Sequence, residues 1–165
     1  VTDPREPKFL VHIPGERGEG EAGGGQMTRI CSGKQLPKGD PSKFYMLRVF
    51  GGQAHEIWDV SNPADPKLIT RINAGRDTHK NWWECDTGIA YLVSGAEGWR
   101  VPRMTQIYDL SDPTKPKFIR NFGLPGQQPG TAEQHQQGKQ RLYNHGKRVV
   151  SPRTDDTCPT NRAGE

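Results

Sequence analysis

One thirteen-residue pattern occurs three times in this chain and constrains its fold more than any other feature. Val1-Thr2-Asp3-Pro4-Arg5-Glu6-Pro7-Lys8-Phe9-Leu10-Val11-His12-Ile13 aligns with Val60-Ser61-Asn62-Pro63-Ala64-Asp65-Pro66-Lys67-Leu68-Ile69-Thr70-Arg71-Ile72. Both align with Leu110-Ser111-Asp112-Pro113-Thr114-Lys115-Pro116-Lys117-Phe118-Ile119-Arg120-Asn121-Phe122. The successive offsets are 59 and 50 residues. Ser/Thr-Asp/Asn-Pro is turn chemistry: a short polar side chain bonds backbone amides ahead of it, and proline presets φ at the corner. The second proline donates nothing to a ladder, so it belongs at the first residue of a strand. Beyond it, period two places Phe9/Val11/Ile13, Leu68/Thr70/Ile72 and Phe118/Arg120/Phe122 each on one strand face.

The segments between the corners supply further strands. His55-Glu56-Ile57-Trp58-Asp59 and Thr105-Gln106-Ile107-Tyr108-Asp109 lead into corners two and three, each with an aromatic before the aspartate. Phe44 to Phe50 and Gly88 to Gly95 read as strands closed by glycine, and Gln26 to Cys31 as another. A unit of about 50 residues holding four short strands is the signature of a β-propeller blade. A β-sandwich also offers short strands, but it does not predict the same corner at blade spacing. The expected fold is therefore all-β: propeller blades of four short antiparallel strands, about 2.5 of them in 165 residues, forming an incomplete ring. Such a piece pairs with another protein chain or with further blades, and a homo-oligomer is one form of that pairing. Val1-Thr2-Asp3-Pro4, with neither a start methionine nor a signal-peptide core, fits a chain whose beginning lies elsewhere.

Composition divides the chain in the same way. Glycine (20) and proline (14) make up about a fifth of the residues, which excludes a coiled coil or long-helix fold. The hydrophobic fraction is 31%, against roughly 45–50% in typical domains. The shortfall is concentrated in an insertion at 14–43, whose first part is PGERGEGEAGGG, and in a tail. The blades are expected over 1–130 and a low-apolar tail over 131–165, where only Arg141-Leu142-Tyr143 and Arg148-Val149-Val150 are strand-like. The net charge is +4, but the 23 basic residues are scattered, so no nucleic-acid partner is expected. No apolar run is long enough for a membrane span. Cys31, Cys85 and Cys158 include no CxxC pair, and their disulfide state is not readable.

The segments Ile57-Trp58-Asp59-Val60-Ser61-Asn62-Pro63-Ala64-Asp65-Pro66 and Ile107-Tyr108-Asp109-Leu110-Ser111-Asp112-Pro113-Thr114-Lys115-Pro116 resemble the LVIVD repeat of bacterial β-propeller proteins. The stretch from Phe44 to Gly130 is similar to a proteobacterial branch of that family through Ala54–Asp59, Asp77–Asp86, Arg103–Asp109 and Gly123–Gly130. The resemblance covers residues 1–130 and stops there. It implies a propeller with further blades, a periplasmic, cell-surface or secreted setting, and no assigned reaction. The function expected from it is a non-catalytic binding or scaffold module of the bacterial cell envelope.

The alternative is a metal-dependent, redox-active propeller enzyme, distantly similar to the selenium-binding proteins. The candidate metal set is His55, Glu56, His79 and Glu84, with Cys85 beside it, all ligand types suited to a transition metal ion. Trp82 and Trp83 offer rings to stack a ligand or line a partner groove, although consecutive tryptophans more often divide between core and rim. Arg100 and Arg103 offer a loop for an anionic group. Cys85 as a nucleophile has only His79 as a nearby base. GxSxG, Walker, HExxH and dinucleotide motifs are absent from the sequence, so the reading leans away from an enzyme.

Overall fold

The computed structural model describes residues 3–15, 27–73 and 76–129, and these form two four-stranded antiparallel sheets. The first sheet has β1 (Arg29–Ser32), β2 (Phe44–Phe50), β3 (Ala54–Asp59) and β4 (Lys67–Ile72). The second has β5 (Asn81–Trp83), β6 (Ile89–Ser94), β7 (Met104–Asp109) and β8 (Lys117–Phe122). In both sheets the strands lie in chain order, each beside its predecessor. The all-β expectation holds at this level, with one sheet to each repeat unit. The expected tail and its two weak strands lie outside the described residues, as does most of the glycine-rich part of the insertion.

The corner repeats as hydrogen bonds as well as sequence. Asp59 Oδ1 accepts from Ser61 N (3.0 Å) and Ser61 Oγ (2.5 Å). Asp109 Oδ1 accepts the same pair from Ser111, at 2.9 and 2.5 Å. The next acidic or amide residue then closes a turn onto the residue three further on: Asp65 N to Asn62 O, and Lys115 N to Asp112 O, both 3.0 Å. The first copy makes the same closure, Glu6 N to Asp3 O at 3.2 Å. Bonds from Ser111 hold Asp109 below the usual carboxylate pKa, and bonds from Thr114 do so for Asp112.

Two details depart from the simple period-two reading. Pairing slips between Ile57/Trp58 and between Ile107/Tyr108, leaving Ile69 and Ile119 as the extra residues of β4 and β8. Each bulge reverses the alternation behind it. Leu68 therefore pairs with Trp58 on the face opposite Thr70 and Ile72, and Phe118 pairs with Tyr108 on the face opposite Arg120 and Phe122. Residues 8–13 after the first corner form no strand, and Phe9 is 83% exposed. In the other two copies this segment pairs with the strand leading into its corner, whereas no described strand pairs with residues 8–13.

The two sheets stack with non-equivalent faces in contact. The core between them takes Cys31, Tyr45, Leu47, Ile57 and Ile72 from the first sheet and Trp83, Ala90 and Leu92 from the second, with Leu36 and Leu110 from loops. Register makes Arg48, Glu56, Trp58 and Arg71 the counterparts of Leu92, Gln106, Tyr108 and Asn121. The face of the second sheet that enters the core therefore corresponds to the face of the first sheet that points away from it. The outward faces both carry apolar residues: Ile30, Phe44 and Leu68 on the first sheet, Trp82 and Phe122 on the second.

A disulfide, Cys31–Cys85, joins β1 to the residues just past β5 and staples the sheets near their first strands. Loop 33–43 packs at the same end, with Leu36 buried and Lys38 N bonded to Ser111 O at 3.1 Å. Gly88 is required there: its φ is +73° and a Cβ would lie 2.6 Å from Ser111 Cα. At the opposite end, the β2–β3 hairpin meets the link between the sheets through Thr78 Oγ1, which donates to Gly51 O at 2.9 Å.

Candidate functional site

Period two dictates the first result. His55 and Glu56 are consecutive on β3, so they leave opposite faces of the sheet. His55, fully buried, faces the second sheet, and its Nε2 lies 3.3 Å from Val93 O on β6. Burial pushes its pKa down to about 4, an effect only partly opposed by the bond to Val93. With Nε2–H donating to that carbonyl, Nδ1 is an acceptor, and it has no partner among the described residues.

Glu56, also fully buried, is held on the outward face between its two cross-strand neighbours. Arg48 on β2 brings Nε to 2.9 Å and Nη2 to 2.8 Å from Oε2, and Trp58 Nε1 donates to the same oxygen at 2.9 Å. Arg71 on β4 brings Nε to 3.0 Å and Nη2 to 2.6 Å from Oε1. These donors use the acceptor capacity of both carboxylate oxygens, so Glu56 has none to spare for a metal. Arg48 also donates to Ile13 O (2.9 Å) and Pro14 O (2.5 Å), tying the segment behind the first corner to the sheet. The Arg71 guanidinium lies 4.0 Å from the centroid of Phe50, and that of Arg48 lies 5.2 Å from that of Trp58. The cluster is one buried carboxylate braced by two cations and two rings, an arrangement that fixes geometry rather than offering a free reactive group.

The other residues of the candidate metal set are placed as follows. His79, half-buried, sits in the lead into β5, and its backbone N donates to Val93 O at 3.0 Å. The backbone of His79 and the ring of His55 therefore converge on one carbonyl. Glu84 lies past the other end of β5, five residues on from His79. There it accepts from Thr87 Oγ1 at 3.0 Å. Cys85 is committed to its disulfide. Among the described residues, no group of three or more His, Cys, Asp or Glu side chains is placed to hold a metal ion.

The tryptophan pair divides by the same alternation. Trp83 is buried in the core between the sheets, while Trp82 is half exposed at the rim with the Arg29 guanidinium 3.9 Å above its ring. Arg100 and Arg103 stand in the β6–β7 loop. Arg100 N donates to Gln127 O at 3.1 Å, and Arg103 Nε donates to Asp77 O at 3.0 Å. Arg103 is thus tied to the link between the sheets, a few residues before His79. The sequence did not point to Arg48, Trp58 and Arg71 as partners of Glu56, because only the register of four strands brings them into one row. In comparisons with known proteins, no protein family matches this chain, and no curated protein matches it.

Proposed function

We propose that the chain is part of an LVIVD-type β-propeller that serves as a non-catalytic binding or scaffold module of the bacterial cell envelope. The observation that carries the reading is the way the two sheets stack. Equivalent faces meet in a two-fold sandwich and end the stack, whereas here one face of the repeat unit meets its opposite face. That arrangement is heterologous, and repeating it builds a ring where the rotation between successive sheets closes. The outward apolar faces, with Ile30, Phe44 and Leu68 at one end and Trp82 and Phe122 at the other, are the surfaces on which further blades or another chain would continue it.

The Cys31–Cys85 disulfide supports an exported setting, because such bonds persist in oxidising compartments. A scaffold role fits the polar cluster around Glu56, whose charges and hydrogen bonds satisfy one another. Two measurements test the reading. Electron microscopy of the purified assembly should show a closed ring with a central channel, and an open two-sheet particle would refute the propeller. Elemental analysis should find no stoichiometric metal. Metal bound in proportion to protein and lost in His79→Ala would replace the scaffold role with the metal-dependent enzyme.

A further inference from the structure

Among the described residues, several buried side-chain atoms lack a hydrogen-bond partner, most of them on the faces that the two sheets turn towards each other, with Asn121 on the half-exposed edge strand β8. They include His55 Nδ1, both amide atoms of Asn81, Gln106 Oε1 and Asn121 Oδ1. The register explains the grouping. Asn81 pairs with Leu92, Leu92 with Gln106 and Gln106 with Asn121, so the three amides stand in one row straight across the second sheet. Leu92, in the middle of that row, belongs to the inter-sheet core, so the row faces the first sheet. His55 faces it from β3, bonded through Nε2 to Val93 O, next to Leu92.

The counterpart row of the first sheet is instructive. Glu56 and Arg71 stand where Gln106 and Asn121 stand, and there opposite charges satisfy each other. The second sheet carries the neutral amides instead, and they do not saturate one another. Asn81 is separated from Gln106 by a whole strand, and Leu92 between them offers no polar atom. In this row His55 Nδ1, Asn81 Oδ1, Gln106 Oε1 and Asn121 Oδ1 accept and Asn81 Nδ2 donates, while Trp83 Nε1 and Arg29 Nε are further unpartnered buried donors. Leaving all of these dry would cost an amount comparable with the whole stability of a domain. The row has no carboxylate to balance a buried cation, so the ligand it suits is small, neutral and able both to donate and to accept.

We propose that this seam is a binding site for internal water, with ordered molecules linking His55 Nδ1 to Asn81 and serving Gln106 and Asn121 as integral parts of the interface. The sheets are then joined by two unlike means: the disulfide with Trp83 and Leu110 at one end, and a hydrated polar row towards the other. The test is solution NMR of the oxidised chain, using magnetisation transfer from water to the side-chain amides of Asn81 and Gln106, together with the nitrogen shifts of the His55 imidazole. The expected result is transfer of the sign given by long-lived water at both amides, and a neutral Nε2–H tautomer. In Gln106→Met, which removes that amide, the signal at Asn81 should persist, and its loss would overturn the assignment of water to Asn81. Absence of long-lived water at these amides in the unaltered chain would overturn the proposal. So would an Nδ1–H tautomer, or a crystal structure placing a cation or a direct protein partner on Asn81.

Discussion

Reducing the Cys31–Cys85 bond tests how the two sheets are held together. The bridge joins residues 54 apart in sequence, on the first strand of one sheet and just past the first strand of the other. In the chain-entropy account, closing a loop of that length removes unfolded-state freedom worth about 4 kcal/mol at room temperature. Domain stabilities are roughly 5–15 kcal/mol, so the loss would be a large part of the whole. With a urea dependence of about 2 kcal/mol per molar, the unfolding midpoint should fall by about 2 M. The assay is a urea titration followed by far-ultraviolet circular dichroism and tryptophan fluorescence, with and without reductant. Cys31→Ala/Cys85→Ala provides a second comparison. Cys31 is fully buried, so the double variant also removes core volume and should shift the midpoint somewhat further. Reduction keeps both sulfurs and isolates the cross-link. An unchanged midpoint after reduction, with mass spectrometry confirming that both thiols are free, would refute the reasoning.

Acid should weaken the same interface through His55. Its folded pKa of about 4 lies below the unfolded value of 6.5, so the unfolded chain binds the extra proton first, and stability falls as pH drops from about 6.5 to 4. The total is about 3 kcal/mol, and urea midpoints across that range should flatten in His55→Asn. An equal slope in the variant would assign the effect elsewhere. Glu56→Gln leaves Arg48 and Arg71 facing each other without their anion, and should cost about 3 kcal/mol in thermal unfolding. Restoring part of that loss with Arg48→Met in the Glu56→Gln background would confirm that the stranded charge is responsible. Gly88→Ala imposes a Cβ on a left-handed residue against the Ser111 backbone, and should lower stability by about 1 kcal/mol or more without loosening the disulfide.

The strands were legible where local chemistry specifies them. Phe44–Phe50 has the predicted limits, and the corner aspartates and prolines announced both turns, because alternation and turn bonds act over a few residues. The bulges at Ile69 and Ile119 were not legible, since nothing in the residues themselves marks the slip. With three cysteines, the Cys31–Cys85 pairing depended on knowing that β1 and β5 end side by side. His55 and Glu56 stood in one candidate ligand set, but as consecutive residues of β3 they point to opposite faces of the sheet. What the sequence concealed was the row each one joins.

The repeat encodes a sheet, and its variable positions encode how one sheet meets the next. Glu56 and Gln106 occupy the same place in their respective sheets, as do Arg71 and Asn121. On the outward face of the first sheet this row is a charged set closed on itself, and one of its arginines also grips the chain behind the first corner. Between the sheets the row is neutral, and it meets His55, whose own counterpart in the second sheet is Thr105. A charged row at that depth would have to be desolvated against another sheet, at a cost its internal pairing need not repay. Neutral amides avoid that cost and need only small polar partners. Position by position, the conserved geometry of the corner therefore builds each sheet, while exchanges such as Glu56 for Gln106 set whether its face is closed by ions or is suited to being covered.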